Sequence, residues 1–291
     1  MHNTGSVRSG HDKIPTVGSA LQETIRLLTS ASATPRLDAE VLVMHVCRLD
    51  RGKLITHSQT ELTGDQRQQI NELSARRRQG EPVAYLTGWR EFWSMELAVS
   101  PATLIPRPET ELLVEKTLAH IPRDAEWTLA DLGTGSGAIA LALAKERPRC
   151  RVIATDISPA ALNVARSNAA KFGLTHVEFR EGRWFEPLAG MKLDVIVSNP
   201  PYVRADDPHL KHGDVRFEPQ QALIAGPDGL DAIRHIVAAS AAHLTAGGWL
   251  LLEHGHDQTA AATLLQQYGY ATIHCYSDLS GQDRVSEGRL P

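Results

Sequence analysis

Cysteine is scarce in this chain. Cys47, Cys150 and Cys275 are odd in number and scattered, with neither a C-x-x-C pair nor any zinc-ligand spacing. A disulfide-stapled fold and a cysteine-based metal centre are thereby excluded, and the three read as reduced structural thiols. Aromatic residues make up 5% of the chain, and positive charge is not in excess: 30 Lys and Arg stand against 34 Asp and Glu, a net charge of -4. Such a chain lacks the basic field that drives non-specific binding to duplex nucleic acid, so no direct nucleic-acid binding is expected. No stretch approaches the roughly 18 apolar residues of a membrane span. The first twenty residues are polar and carry no apolar segment of the signal-peptide kind. No membrane association is expected, and the expected location is cytoplasmic. What the sequence does have is 42% hydrophobic residues over 291 positions, enough for a sizeable core. That length suits a domain of about 180 residues with a smaller partner.

From Val17 to Gly80 apolar residues recur every three to four positions, as in Leu21, Ile25, Leu28 and then Leu37, Val41, Met44. Pro35 opens the second of these helices, and Thr63 with Gln66 makes a capping box for a third, which ends in Arg76, Arg77, Arg78 and Gly80. The arginine run reads as a solvated last turn complementing the helix dipole. Between Glu81 and Pro108 the helical period gives way to aromatic and β-branched residues among Gly88, Pro101, Pro106 and Pro108, the composition of a hairpin-like linker. Beyond it helices and strands alternate: helices near 109–120, 138–146, 159–172 and 230–244, strands at 127–132, 151–155, 193–198 and 249–253. Alternation of this kind specifies a mainly parallel sheet with helices on both faces. The expected organisation is a flexible extension over 1–16, a helical substrate-recognition domain over 17–86, a hairpin-like linker over 87–106, and an α/β domain over 107–291.

The run Asp131, Leu132, Gly133, Thr134, Gly135, Ser136, Gly137, Ala138 falls where a strand ends and a helix begins, the crevice in which doubly wound sheets bind ligands. Glycines there let the backbone approach a ligand, and the helix start offers free N–H groups. Asp156 ends the next strand, where a carboxylate can accept hydrogen bonds from ribose hydroxyls. Gly133, Gly135 and Ala138 also satisfy the dinucleotide pattern G-x-G-x-x-A, which keeps an NAD-dependent enzyme in view. Asp131 argues the other way: an acid there repels a pyrophosphate but can pair with the ammonium of a methionine moiety. S-adenosyl-L-methionine is therefore the expected cofactor, and no metal site is expected.

Asn199, Pro200, Pro201 and Tyr202 follow the apolar strand Val195, Ile196, Val197. An amide or exocyclic nitrogen is a poor nucleophile because its lone pair is delocalised, so acceptors must orient it. The Asn199 side-chain oxygen and the Pro200 carbonyl can each take one N–H of an NH2 group, and the two prolines stiffen the arrangement. Tyr202 offers a flat face for a planar group. Asn199, Pro200 and Tyr202 are the candidate catalytic residues, and Asn199 to Tyr202 the candidate substrate site. Positioning is the expected catalytic device.

With these residues in hand the chain resembles the HemK/PrmC family, the peptide chain release factor N5-glutamine methyltransferases. Further motifs carry the likeness: Thr87, Gly88, Trp89, Arg90, Glu91, Phe92; Ile105, Pro106, Arg107, Pro108, Glu109, Thr110, Glu111; Arg216, Phe217, Glu218, Pro219; Glu253, His254, Gly255; and Asp283, Arg284, Val285. The resemblance covers nearly the whole chain. It implies a Rossmann-like class I methyltransferase domain behind a small helical bundle. It implies cofactor contacts from Asp131, Gly133, Thr134, Gly135, Ser136, Gly137, Asp156, Trp184 and Asn199, with Trp184 packed on the adenine. The implied substrate is the glutamine of the Gly-Gly-Gln loop of release factors, gripped elsewhere by the helical domain; separately, a monomer is expected. Arg183 stands where the family commonly has an acidic or small residue, so the adenine contact at that position is not carried over.

Other functions compatible with the core motifs are methylation of glutamine in a ribosomal protein, adenine N6-methylation of nucleic acid, and a cofactor-binding module without activity. The low aromatic content and negative charge oppose the nucleic-acid reading, and the intact tetrapeptide opposes the inactive one.

Overall fold

The computed structural model describes residues 15–258 and 260–291. Of the extension expected over 1–16, residues 1–14 lie outside the described residues. The chain divides into two compact units, one up to Thr87 and one from Gly88.

The first unit is helical: α1 (Val17–Leu28), α2 (Pro35–Cys47), α3 (Arg51–Thr56), α4 (Gly64–Arg78) and α5 (Val83–Thr87). Its starts are set locally. Pro35 occupies the first turn of α2, and the expected capping box forms at α4, where Thr63 Oγ1 accepts from Gln66 N at 3.1 Å and Gln66 Oε1 from Thr63 N at 3.0 Å. Thr16 and Ser19 form a second box at α1. The short α3, capped by Asp50, was not foreseen. Leu28, Leu42 and Val43 are fully buried in this unit. One expectation fails inside it. Arg77 is not a solvated residue of the α4 C-terminus: it is buried, and its Nε meets Asp38 Oδ2 at 2.6 Å. Its neighbours Arg76 and Arg78 are exposed.

The second unit opens with an antiparallel hairpin, β1 (Trp89–Phe92) and β2 (Met95–Ala98). Then come α6 (Thr110–His120), β3 (Thr128–Leu132), α7 (Ala138–Glu146), β4 (Arg151–Asp156), α8 (Pro159–Lys171), β5 (Glu178–Glu181), β6 (Leu193–Ser198), α9 (Asp231–Ser240), β7 (Leu244–Glu253), α10 (Ala260–Gln267), β8 (Ala271–Ser277) and β9 (Asp283–Arg289). The seven-stranded sheet runs β5-β4-β3-β6-β7-β9-β8, with β5 to β7 parallel and β9 antiparallel to both its neighbours. The alternating and mainly parallel α/β architecture expected from the sequence is present.

Side-chain alternation along the strands builds two cores. Val195, Val197, Val152 and Ala154 pack with α6 and α7 on one face, together with Phe92, Met95 and Leu97 of the hairpin. Ile196, Ile153, Leu250 and Leu252 pack on the other face with Ile233, Ile236 and Val237 of α9 and Leu265 of α10. The hairpin thus contributes to the core of the second unit. Each fully buried Leu or Ile contributes roughly 1.5–3 kcal/mol of transfer free energy. Register places the functional loops: Leu132 pairs with both Thr155 and Ser198, and Ser198 pairs with Leu252. The residues just beyond these pairs, Gly133, Asp156, Asn199 and Glu253, therefore share the carboxyl edge of the sheet, and chain order reverses between β3 and β6.

Candidate active site

The carboxyl edge opens into a cavity of about 390 Å³, a volume suited to a cofactor-sized ligand. Of the residues singled out from sequence, Gly133, Gly135, Asp156, Arg183, Trp184, Asn199, Pro201 and Pro219 line it. Asp131, Thr134, Ser136, Gly137, Pro200 and Tyr202 are not among its lining residues. Ala102, Thr103 and Ala222 are among the other residues of its wall.

The glycine loop is folded by its acids. Asp131 is buried, and its Oδ2 accepts from Thr134 Oγ1 at 2.6 Å and from Ala140 N in the first turn of α7 at 3.2 Å. Its Oδ1 is buried with no partner. Burial is the main reason that its carboxyl is pushed up to about 7, opposed by the Thr134 hydrogen bond. Asp156 Oδ2 accepts from Gly135 N at 2.9 Å and Oδ1 from Ser158 N at 2.9 Å. Burial raises the Asp156 carboxyl as well. Gly137 lies at φ +86°, and a Cβ there would sit 3.2 Å from both Ala165 and Leu141 side chains. At Gly133, φ +73°, a Cβ would lie 3.3 Å from the Trp184 ring. Both positions need glycine for conformation as well as for space.

Trp184 itself has φ +49°, a conformation that costs a side-chain-bearing residue roughly 1–2 kcal/mol. Its carbonyl accepts from Thr155 Oγ1 at 3.2 Å, and its Nε1 is buried without a partner. Strain of this sort persists where surrounding structure enforces it, often at ligand sites.

Asn199 sits at the cavity with its Nδ2 donating to Thr110 Oγ1 at 3.1 Å. That contact leaves its Oδ1 as the end available to accept. Pro200 is buried. Tyr202 packs partly against the core beneath α9, and its hydroxyl donates to Glu253 Oε1 at 3.2 Å. Gln258 Nε2 donates to its carbonyl at 2.9 Å. Burial, with Glu253 next, raises the Tyr202 hydroxyl. Core packing and the Glu253 contact hold the Tyr202 ring, which is not among the residues lining the cavity.

Sequence reasoning assigned no role to Thr110, Glu253 or Glu218. Thr110 is buried. Glu253 is fully buried, with Oε2 unpartnered; burial pushes it up to about 7, against interactions with Thr110 and Tyr202. An acid closing the apolar run Leu250, Leu251, Leu252 was a usable signal, the same one that marked Asp156. Glu218, buried, accepts from Ile105 N at 3.0 Å and pairs with Arg107, so it clasps together the two loop segments flanking the cavity.

Asp156 and Trp184, at the cavity wall, can serve a ligand with a vicinal diol and a planar heterocycle, both of which S-adenosyl-L-methionine offers, while the unpartnered Asp131 oxygen is buried outside the cavity lining. Among the described residues, no group of three or more His, Cys, Asp or Glu is placed to hold a metal ion, and no helix is long and apolar enough to cross a membrane.

Comparison with known proteins agrees with this chemistry. Residues 19–88 match the model of the PrmC N-terminal domain, and residues 108–215 that of the methyltransferase small domain. A release factor glutamine methyltransferase of Xylella fastidiosa is 52% identical over 92% of this chain and 98% of its own length. The protein of the same name from Escherichia coli is 48% identical over 92% and 97%. Among solved structures, a methyltransferase of Pyrococcus furiosus matches with a TM-score of 0.52 at 16% identity, covering 78% of this chain and 98% of its own. A Thermus thermophilus 16S rRNA methyltransferase solved with S-adenosylmethionine and guanosine matches at 0.54 and 18%, covering 70% and 50%. These two show the class I methyltransferase fold, while identity near one half over almost the full length shows the family. The chain belongs to the release factor glutamine methyltransferases and uses S-adenosyl-L-methionine.

Proposed function

We propose that this protein methylates the side-chain amide nitrogen of the glutamine in the Gly-Gly-Gln motif of peptide chain release factors. The observation that carries the reading is Asn199: it lies at the cavity, next to the glycine loop in the sheet register, with its amide hydrogens turned to Thr110 and its oxygen left to accept.

When bound, S-adenosyl-L-methionine supplies an electrophilic methyl group on a sulfonium. Asp131 Oδ1 would pair with its ammonium, Asp156 would accept from its ribose hydroxyls, and the 133–137 backbone and Trp184 would hold the rest of it. Asn199 Oδ1 and the Pro200 carbonyl would each accept one N–H of the substrate amide, holding its nitrogen in place for the transfer. Pro201 closes the cavity beside them. Tyr202 supports the tetrapeptide through its hydroxyl and carbonyl. Orientation is the dominant contribution, since well-aligned geometry is worth roughly 7–11 kcal/mol, whereas a neutral hydrogen bond adds on the order of 1 kcal/mol net. The first unit serves to recognise the release factor. Labelled methyl transfer to a release factor, compared with a ribosomal protein and an adenine-containing oligonucleotide, tests the reading; labelling of either alternative in place of the release factor overturns it.

A further inference from the structure

We infer that Gln258 is a positioning residue for the tetrapeptide Asn199 to Tyr202, gripping the far end of a loop whose start is fixed by the sheet; the inference rests on the reading of that loop as the substrate site. Pro200 and Pro201 have no N–H to donate, and the Pro200 carbonyl has to stay free for the substrate, so the middle of the tetrapeptide is placed by whatever holds its two ends. At the start, Ser198 closes β6 and its Oγ donates to Leu132 O at 2.6 Å. At the far end, Gln258 Nε2 donates to Tyr202 O at 2.9 Å and Val203 N donates to Leu223 O at 2.8 Å. Both sides of the peptide bond after Tyr202 are therefore held.

Gln258 is built into this place. It is 6% exposed and lies in the turn between β7 and α10. Its Oε1 accepts from Gly255 N at 2.9 Å while its own N donates to Gly255 O at 2.9 Å, a reciprocal pair that closes the turn. Closing the turn uses only the oxygen. The NH2 end points away from it, to Tyr202 O and to a second carbonyl, Asp228 O, at 3.4 Å. Main-chain groups of fixed character settle which end of the amide goes where: the Gly255 N–H needs an oxygen, and the two carbonyls need hydrogens. The segments converge closely, since a Cβ on Gly229, at φ +75°, would lie 2.3 Å from Tyr202 O and 2.6 Å from Gln258 Nε2. The cofactor loop is held separately, by Thr134 on Asp131 and by Gly135 on Asp156. Loosening Gln258 thus moves the acceptors for the substrate amide relative to a methyl donor that stays in place.

The test is methylation of a whole release factor by the full chain, with kcat, the KM for the factor and calorimetric cofactor affinity followed across the range in which a buried carboxyl titrates, from about pH 6 to about pH 9. Gln258→Met keeps the size and removes the hydrogen bonds. Its kcat should fall roughly 10- to 100-fold at every pH, the scale of a misplaced reacting group, with cofactor affinity within about threefold of wild type. Gln258→Glu keeps the shape: its protonated carboxyl can donate to Tyr202 O and accept from Gly255 N, whereas the ionised form sets an acceptor against two carbonyls. Its kcat relative to wild type should drop about tenfold or more as pH rises across that range, and this ratio carries the test if thermal melting shows Gln258→Met to be unfolded. A glutamine that only closed its own turn would not separate kcat from cofactor affinity. Wild-type kcat in Gln258→Met, cofactor affinity lost in proportion to kcat, or a Gln258→Glu ratio that does not fall with rising pH overturns the inference. Absence of methyl transfer by wild type would instead overturn the reading of the site on which it rests.

Discussion

Asp131→Asn should make the cofactor-free protein more stable and the enzyme worse. Asp131 titrates near 7 in the fold, against an ordinary 3.8, because it is buried. A carboxyl raised in the folded state contributes stability while protonated and loses it as pH climbs through the folded value. Holding it ionised at about pH 8 therefore costs about 4 kcal/mol relative to the unfolded chain. Asparagine keeps the size and one oxygen for Thr134 and Ala140, but puts an NH2 where Oδ1 has no partner, which costs roughly 1–3 kcal/mol. The net gain is about 2 kcal/mol, a rise in melting temperature of roughly 4–8 °C for a unit of this size. At about pH 5 the native carboxyl is protonated, its cost falls to about 2 kcal/mol, and the gain should vanish. On the proposed pairing of Asp131 with the cofactor's ammonium, removing that partner costs roughly 3 kcal/mol or more, so S-adenosylmethionine should bind more than about 100-fold less tightly. Melting curves at both pH values and calorimetric titration of the cofactor measure all of this. Cofactor affinity within about threefold of wild type, or a lower melting temperature at both pH values, would refute the reasoning.

Asn199→Ala should lower kcat by about 100-fold or more while changing cofactor affinity little, as stopped-time methyl transfer and calorimetry would show. Asp156→Ala should do the reverse and weaken cofactor binding by roughly tenfold or more, since it removes charge-assisted acceptors from the ribose and the anchor of Gly135. Glu218→Gln should loosen the clasp on Ile105 and Arg107, raising the KM for cofactor several-fold and increasing amide hydrogen exchange over residues 102–107 and 216–222. Asp38→Ala should leave the buried Arg77 short of its charge partner and destabilise the first unit by roughly 3 kcal/mol, read by thermal melting.

Legibility of the fold followed local contrast. Ala138–Glu146 and Leu193–Ser198 have clear apolar patterns with glycine or proline punctuation, and the structure puts α7 and β6 on those residues. β9 is a polar strand and β8 is a largely exposed edge strand whose apolar residues are broken up by Thr272, His274 and Ser277, so neither carries an apolar run to announce it. β7 begins at Leu244, earlier than read, because Gly247 and Gly248 look like breakers; a register irregularity against β6 accommodates them. Arg77 was misread because its partner Asp38 lies 39 residues away, beyond any local pattern. The candidate site divides in the same way. Gly133, Asp156 and Asn199 stand at the ends of apolar strands and were visible there. The Thr110 contact to Asn199 spans 89 residues, and the left-handed conformation of Trp184 is imposed by its surroundings.

The most direct test is mass spectrometry of the Gly-Gly-Gln peptide of a release factor after incubation with this protein and S-adenosyl-L-methionine, beside a factor carrying Gln→Ala. The expected result is one added methyl on that glutamine and none on the control; an unmodified glutamine despite intact cofactor binding, or a methyl found equally on the control, would contradict the account.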